Sequence, residues 1–340
     1  MANIADVALK AGVSKTTVSR VINNFSPVNA ETRDRVLAAM KALDYTPSVI
    51  AQGMRSQRTK SVGVLIPDFR SYWYAELLNY LEDEARARGY LVIISSTHAD
   101  HHREIEYVSE LVRRQVDGLI ICWYKETWDK TKLLKDIARK IPIVLMDQPA
   151  RGFNASSVYT DGYTGIKKLT KALIRQGHRK IAMVVEDRQY SAHERRFQGY
   201  CDALRECGAA MDANLVVEKD EIGFKSGYEG ANRLLSREKP TAILTIDDLT
   251  AVGVLECCHD RGVKVPEEIT VTGFDDIPIS QYCSPRLTTI SQPVQELAKN
   301  AIELVIKKIQ NGRARNQELV FAPRIVLRES SNLAPGDLEV

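Results

Sequence analysis

A short stretch near the N-terminus carries the kinds of side chain that contact DNA. If residues 15–23 form a helix, its two valines and Ile22 turn inward at helical spacing. The outward face then holds only hydroxyls and cations: Lys15, Thr16, Thr17, Ser19 and Arg20. Arg can donate two hydrogen bonds to a guanine edge, and Thr or Ser can reach bases or phosphates. Because this face has no carboxylate, it predicts contact with nucleic acid.

The residues before this helix complete a helix-turn-helix. Residues 4–11 repeat apolar side chains at i, i+3, i+4 and i+7, which is one face of a helix. Gly12 ends that helix, and the Ser14 hydroxyl is placed to cap the second one. The alternative is an ordinary helical hairpin in a core, which the acid-free face argues against. Charge supports DNA binding, because residues 1–60 hold nine Lys and Arg against four Asp and Glu, in a chain whose net charge is +3.

A second set of polar residues follows predicted strands. Asp147 ends PIVLMD, Asp247 ends AILTID, and Asp275 follows VTGF. The carboxyl ends of parallel strands meet at one edge of a sheet, so ligands bind there. A carboxylate accepts two hydroxyls at once, which suits a polyhydroxylated ligand. Each aspartate has the alternative role of capping the next helix, and we favour that role for Asp248.

Aromatic and basic side chains join this set. Tyr72, Trp73 and Tyr74 follow the first predicted strand, and Arg196 follows a later one. A guanidinium donates a fixed fork of hydrogen bonds, and an aromatic ring covers an apolar face. Together with the aspartates, they predict a site for a small polyhydroxylated or heterocyclic ligand.

The elements that must position these residues alternate between strand and helix from Ser61 onward. The predicted strands are 62–67, 91–96, 118–123, 142–147, 180–185, 215–220, 242–247 and 269–275. Near-continuous apolar strands separated by helices indicate parallel sheets covered on both faces. Eight such units could close a barrel, but residues 148–157 carry no helix pattern, and segments 288–293 and 318–328 follow the last unit. The pattern therefore predicts an α/β fold of two open lobes, with a chain that crosses between them more than once.

Other classes of protein are disfavoured. The chain has no apolar run long enough to span a membrane and no signal-like N-terminal segment. Its six cysteines show no disulfide or zinc spacing, and the histidines at 98, 101 and 102 are better explained as the start of a solvated helix than as a metal site. Nucleotide-binding, serine-hydrolase and zinc-protease motifs are absent from the sequence. We therefore expect a reduced cytoplasmic protein that is not an enzyme and that holds no cofactor and no metal.

Several segments closely resemble the LacI/GalR family of bacterial transcription regulators. They are residues 4–24, 30–48 and 61–68, RRFQGY (195–200), TGFDD (272–276) and LTTISQP (287–293). The resemblance implies a homodimer that binds near-palindromic, double-stranded operator DNA. It also implies a two-lobed core, similar to periplasmic binding proteins, with a small-molecule effector between the lobes.

The organisation that the resemblance implies has three parts. An N-terminal three-helix helix-turn-helix domain covers residues 1–46, a hinge helix and linker cover 47–60, and the effector-binding and dimerisation core covers 61–340. Within the core, the N-lobe comprises about 61–160 and 290–322, and the C-lobe about 161–289 and 323–332. The hinge has an alternative interpretation as a solvated linker, since a helix there would form only against a partner.

The resemblance also assigns roles in DNA binding. The expected base readers are Lys15, Thr16 and Arg20, and the expected phosphate contacts are Thr17, Ser19 and Asn23, with Ser14 beside them. In the hinge, Met54 would wedge into the minor groove where the family usually has Leu, and Arg55 would contact the groove. Position 53 is Gly, which lowers helix propensity by about 1 kcal/mol relative to Ala, so this hinge helix would depend on DNA and on the core to stay folded.

In the core, the resemblance places the effector beside the polar and aromatic residues that follow the predicted strands. The expected contacts are Tyr72, Trp73, Tyr74, Asp147, Tyr190, Arg196, Asp247 and Asp275, of which Arg196 and Asp275 match the family's ligand clamp. Residues 71–73 depart from the Asn-Pro-aromatic run of many relatives, and Tyr190 stands where the purine-responsive branch has polar contacts. A purine is therefore disfavoured, which leaves a sugar, a sugar acid or a sugar phosphate. The C-terminal tail lacks the leucine heptad of family tetramers, which predicts a dimer.

The sequence therefore predicts a DNA-binding transcriptional regulator, and specifically a repressor, whose operator affinity changes when an effector rotates the lobes. One rival is a sugar-binding protein without DNA function, which would have an export signal and no helix-turn-helix. The other rival is an α/β enzyme, which would need a nucleophile, a base or a cofactor loop at a strand end.

Overall fold

The computed structural model describes residues 2–22, 28–45, 58–98, 100–122, 128–150, 152, 154–186, 188, 191–219, 223–312 and 314–338. The chain divides into two compact units, Met1–Lys60 and Ser61–Val340. Four residues with predicted roles lie outside the described residues: Asn23, Met54, Arg55 and Tyr190. Most of the predicted hinge, residues 47–57, also lies outside them.

The first unit contains three helices: α1 (Ile4–Ala11), α2 (Lys15–Ile22) and α3 (Ala30–Ala42). Gly12 has φ 63°, the left-handed conformation that ends α1, and the Asn29 side chain accepts from Thr32 N at 2.8 Å to begin α3. Small apolar side chains fill the core: Val7, Ala8, Ala11, Val18, Val21, Val36 and Ala39. The predicted helix-turn-helix is confirmed. Leu37 of α3 is 50% exposed, because Val36 and Ala39 take the inward positions.

The second unit alternates strands with helices. The strands are β1 (Ser61–Ile66), β2 (Leu91–Ser96), β3 (Gly118–Cys122), β4 (Ile143–Met146), β5 (Ser156–Thr160), β6 (Ile181–Glu186), β7 (Val216–Lys219), β8 (Ala242–Thr245), β9 (Thr270–Thr272), β10 (Thr289–Ser291), β11 (Glu318–Phe321) and β12 (Arg324–Val326). The helices are α4 (Tyr72–Ala87), α5 (His101–Arg113), α6 (Trp128–Ala138), α7 (Gly162–Arg175), α8 (Ser191–Glu206), α9 (Phe224–Arg237), α10 (Asp248–Asp260), α11 (Ile279–Tyr282) and α12 (Val294–Gln310).

Two parallel sheets organise this unit. The first has the strand order β11-β5-β4-β3-β1-β2, and the second has the order β7-β6-β8-β9. Each sheet separates two apolar clusters of buried side chains, so both faces are covered. The predicted α/β architecture of open parallel sheets, rather than a closed barrel, is confirmed.

The chain passes between the sheets at three places. β5 of the first sheet leads into α7, which packs with the second sheet, and β10 leads back through α12 to the first. β11 then joins the first sheet, and β12 returns to pair antiparallel with β10. Sequence analysis missed β5, because its residues SSVYT do not form an apolar run, although Ser156 and Ser157 are almost fully buried.

Candidate functional site

The second helix presents its polar residues to solvent. The Ser14 hydroxyl caps α2 by accepting from Thr17 N at 3.1 Å, and it also lies 2.9 Å from the Thr17 hydroxyl. Lys15, Thr16 and Arg20 are exposed, while Thr17 and Ser19 are partly buried. The first turn carries no acidic residue. The three expected base readers are therefore more exposed than two of the expected phosphate contacts, and the DNA contacts themselves stay a prediction.

In the second unit, the side chain of Arg196 is held in place by several contacts. It lies in the second turn of α8 and is only 5% exposed. Its Nη1 donates to the carbonyl of Ile246 at 2.6 Å, and Nη2 lies 3.8 Å from Asp275 Oδ1. The guanidinium carbon sits 3.7 Å from the centre of the Phe274 ring, which is cation–π geometry. A carbonyl, a carboxylate and an aromatic ring therefore fix the direction in which Arg196 can donate.

Asp275 follows β9 in a conformation that side chains rarely adopt. Its φ is 107°, and its backbone N–H donates to Ile290 O at 2.8 Å, which holds the strained segment beside β10. Gln292 Nε2 donates to Asp275 Oδ1 at 2.7 Å. Gln292 was not among the predicted site residues, although it belongs to the segment LTTISQP (287–293). Its position one residue after β10 is the signal that would have found it.

The segment after Asp275 connects the two sheets. Asp276 pairs with Arg328 at 2.6 Å, and both side chains are mostly buried. Ile277 donates its backbone N–H to Asp248 Oδ2 at 2.8 Å and packs its side chain into the apolar cluster that contains α4 and α12. Asp275, which follows a strand of the second sheet, is thus only two residues away from Ile277, which packs in the core of the first sheet.

The two aspartates that begin α10 divide their roles. Asp247 caps the helix, accepting from the N–H and the hydroxyl of Thr250 at 2.8 Å each. Asp248 is fully buried and accepts from Ile277 N and from the Thr289 hydroxyl. Our preference for Asp248 as the cap was therefore wrong. Asp247 is the last extended residue, and the helix already begins at Asp248. Asp247 is partly exposed, and its predicted contact with an effector stays a prediction.

Asp147, Asp247, Asp275 and Arg196 share one electrostatic environment. Burial raises the pKa of Asp275 to about 7; Arg196 opposes the shift, while Asp247 and Asp147 add to it. Burial also raises the pKa of Asp147 to about 6 against the effect of Arg196. Asp147 follows β4 of the first sheet and has φ 61°. Asp147 of the first sheet and Asp275 of the second therefore both interact electrostatically with Arg196.

The three aromatic residues differ in their exposure. Trp73 and Tyr74 are 4% and 9% exposed, whereas Tyr72 is 61% exposed. Burial raises the pKa of Tyr74, and Asp147 and Asp275 raise it further, so its hydroxyl lies near the carboxylates. Trp73 meets Tyr74 edge-on, with ring centres 4.9 Å apart. We name the group Tyr74, Asp147, Arg196, Asp247, Asp275 and Gln292 the charged cluster.

The described residues contain no group of three or more His, Cys, Asp and Glu side chains that could hold a metal. Asp100 caps α5 by accepting from His102 N at 2.8 Å, so His101 and His102 begin a helix as predicted, and His98 lies before it. Over the same part of the chain, no helix is long and apolar enough to cross a membrane.

Known proteins match this chain along nearly its whole length. Residues 3–48 match the family of bacterial regulatory proteins, lacI family, and residues 170–331 match a periplasmic binding protein-like domain. The chain is 34% identical over 331 residues to the ribose operon repressor of Haemophilus influenzae, covering 97% of this chain and 98% of that protein. This protein belongs to the LacI family.

Other members of the LacI family are similarly related. The regulator DegA of Bacillus subtilis is 33% identical over 330 residues, covering 97% of this chain and 98% of DegA. The repressor PurR of Histophilus somni is 33% identical over 334 residues, covering 97% and 99%. Because these relatives are transcriptional regulators, this LacI-family protein is a DNA-binding transcriptional regulator and not an enzyme.

Solved structures of the LacI family share the fold. The lac repressor dimer bound to operator and the anti-inducer ONPF matches with a TM-score of 0.87 at 25% identity, covering 98% of this chain and 99% of that chain. A LacI family transcriptional regulator from Enterococcus faecium with bound ribose matches with a TM-score of 0.71 at 26% identity, covering 81% and 99%. The resemblance inferred from sequence motifs is confirmed.

Proposed function

We propose that this LacI-family protein is a cytoplasmic repressor that binds a near-palindromic operator as a homodimer. We further propose that a sugar or sugar derivative, bound at the charged cluster, controls operator affinity. The observation that carries the proposal is the Arg196–Asp275 pair, which is mostly buried, held by Gln292 and flanked by Asp147 from the other sheet. Buried groups that accept and donate hydrogen bonds at the ends of parallel strands suit a polyhydroxylated ligand.

For DNA binding, we assign base reading to Lys15, Thr16 and Arg20 on the exposed face of α2. Thr17 and Ser19 lie deeper and would contact phosphates, as would Asn23. The Met1–Lys60 unit holds the basic surface of the chain, which suits a polyanion. The homologous lac repressor is a dimer bound to operator, which supports the same arrangement for this protein.

The proposed domain boundaries follow from these roles. Residues 1–46 would read the operator, residues 47–60 would form a hinge whose Met54 and Arg55 enter the minor groove, and residues 61–340 would bind the effector and the second protomer. Paired hinges would bring both reading helices to one operator.

Effector control requires that a ligand bind one arrangement of the core better than another. The charged cluster meets this requirement, because its carboxylates come from strand ends of both sheets. A ligand that contacts Asp147 and Asp275 together would favour the arrangement in which the two strand ends are close. Ile277 would transmit that preference, since it follows Asp275 and packs in the core of the first sheet.

The DNA-binding part is tested on an operator selected from a random duplex pool with the full-length protein. Arg20→Ala is expected to lower affinity at least tenfold and to relax the sequence preference at one position of each half-site, as for a lost bidentate contact. Lys41→Ala, which removes an exposed cation of α3, is the matched control and is expected to lower affinity less than threefold. Equal effects of the two substitutions would contradict the assignment of α2 as the reading helix.

A further inference from the structure

The charged cluster contains more negative than positive groups. Asp147, Asp247 and Asp275 supply three carboxylates. Among the described residues, Arg196 is the one cation that contacts members of the cluster. The neighbouring Arg195 is turned to other partners: it pairs with Asp161 at 3.3 Å and lies over the ring of Tyr159. A ligand at this position therefore meets an excess of negative charge.

Arg196 already has two partners in the cluster. Asp275 Oδ1 lies 3.8 Å from Nη2, and Nη1 donates to the carbonyl of Ile246 at 2.6 Å. Its Nε–H is buried and has no hydrogen-bond partner among the described residues. The Nε–H and the other N–H groups that remain can donate to hydroxyls or to a ring oxygen, which are neutral acceptors.

The other groups mainly require donors from the ligand. Ionised carboxylates only accept hydrogen bonds, and Gln292 Oε1 is a buried acceptor that lacks a partner within the described part of the chain. A hydroxyl can both donate to these groups and accept from Arg196. An ionised carboxylate or phosphate cannot donate, and it would place a further negative charge beside the three aspartates.

We propose that the effector is an electrically neutral polyol, such as an unmodified sugar, and that the three carboxylates of the charged cluster exclude sugar acids and sugar phosphates. This inference rests on the proposed function, since it specifies the chemistry of the effector at the same site. The pKa values agree with it: the pKa of Asp275 is raised first by burial and then by Asp247 and Asp147, so the site already resists negative charge.

The test is isothermal titration calorimetry of the full-length protein at pH 7.5 and low salt with pairs of sugars that share a carbon skeleton. The pairs are ribose with ribose 5-phosphate, glucose with gluconate and galactose with galacturonate. The neutral member of at least one pair is expected to bind, and its charged partner is expected to bind at least about 100-fold more weakly, because two unit charges a few ångströms apart interact strongly in a buried site.

A double substitution tests whether the carboxylates cause the discrimination. Asp147→Asn with Asp247→Asn keeps the shapes and removes two negative charges, so the preference for the neutral sugar is expected to shrink at least tenfold. Asp83→Asn with Asp136→Asn removes two exposed charges of α4 and α6 and is expected to leave the preference unchanged. Far-ultraviolet circular dichroism checks that both variants are folded.

Three outcomes would overturn the inference, and they are distinguishable. Tighter binding of an acid or a phosphate would refute the charge selection but leave sugar control of the operator intact. Unchanged discrimination in the cluster variant, or equal loss in the control variant, would show that these carboxylates do not select the ligand. Binding of neither member of any pair would contradict the proposed sugar effector itself, and this inference with it.

Discussion

The helix α2, which we propose reads the operator, and the charged cluster, which we propose binds the effector, expose their side chains to different degrees. In α2, Lys15, Thr16 and Arg20 extend into water from a helix that is capped by Ser14 and packed by small apolar side chains. In the charged cluster, Arg196 and Asp275 are mostly buried, and Asp147 and Asp275 adopt positive φ angles. The reading residues of the first site are exposed, and no residue of α2 has a positive φ angle. The second combines buried charge with backbone strain.

This difference indicates which site can change the balance between two arrangements of the protein when it binds a ligand. Exposed side chains gain contacts with DNA and cost the free protein almost nothing. Buried carboxylates with raised pKa values destabilise the free protein at neutral pH, because folding removes them from water. A ligand that donates hydrogen bonds to them offsets that cost, and so it can shift an equilibrium between two arrangements of the core. The charged cluster is therefore suited to control, and the helix to reading.

The largest expected effect is the loss of sugar binding when Arg196 is removed from the charged cluster. Arg196→Ala leaves Asp275 without its buried counter-charge, so sugar binding is expected to fall more than about 100-fold. Operator binding without sugar is expected to remain, and calorimetry and operator binding together measure both properties. The adjacent Arg195→Ala is the control, since Arg195 pairs with Asp161 outside the cluster, and it is expected to change sugar affinity less than threefold. A folded Arg196→Ala protein that still binds the sugar would contradict the assignment of the charged cluster as the sugar site.

The next effect measures the cost of a buried carboxylate. Asp147→Asn is expected to stabilise the free protein by about 1 to 3 kcal/mol at pH 7.5, because the pKa of Asp147 is raised from 3.8 to about 6 and asparagine also tolerates positive φ. Unfolded Asp147 ionises near pH 4 and folded Asp147 near pH 6, so the cost is complete above pH 6 and is lost as pH falls toward 4. The gain is therefore expected to shrink to less than half at pH 4.5.

Urea unfolding followed by tryptophan fluorescence measures this gain. All three tryptophans, at positions 73, 123 and 128, belong to the second unit, so the signal reports that unit alone. A destabilised Asp147→Asn protein, or a gain that is the same at both pH values, would contradict the picture of a carboxylate held at a cost.

A smaller effect concerns the pH dependence of sugar binding. A neutral sugar donates hydroxyls to ionised Asp275, whose pKa in the free protein is raised to about 7. Binding should therefore release protons, and affinity is expected to fall about tenfold or more between pH 7.5 and pH 5.5. Calorimetry in two buffers of different ionisation enthalpy detects the released protons directly. Affinity that rises as the pH falls would point to an anionic ligand instead.

The smallest effect concerns the helix. Ser14→Ala removes the cap of α2 and is expected to destabilise the first unit by about 1 kcal/mol, with a loss of operator affinity of a few-fold. Because the tryptophans lie in the second unit, the unfolding transition seen by their fluorescence should not move. Hydrogen exchange of the α2 amides measures the local change, and unaltered protection there would show that the cap does not stabilise the helix.

The sequence predicts the helix better than the cluster, for a physical reason. The limits of α2, its cap and its exposed face depend on residues within one or two turns of each other, and local spacing reveals them. Asp147, Arg196 and Asp275 were found because parallel strands bring their carboxyl ends together. Gln292, the buried role of Asp248 and the polar strand β5 were missed, because each depends on a partner far away in sequence, such as Asp275 for Gln292 and Thr289 for Asp248.

The most direct test of the account is operator binding by the full-length protein, followed by fluorescence anisotropy, with and without the neutral sugar found by calorimetry. Saturating sugar is expected to change the operator Kd of the natural protein at least tenfold and that of Arg196→Ala not at all, while both proteins bind the operator equally without sugar. An unchanged Kd in the natural protein, or the same change in Arg196→Ala, would contradict the claim that the charged cluster controls the DNA-reading helix.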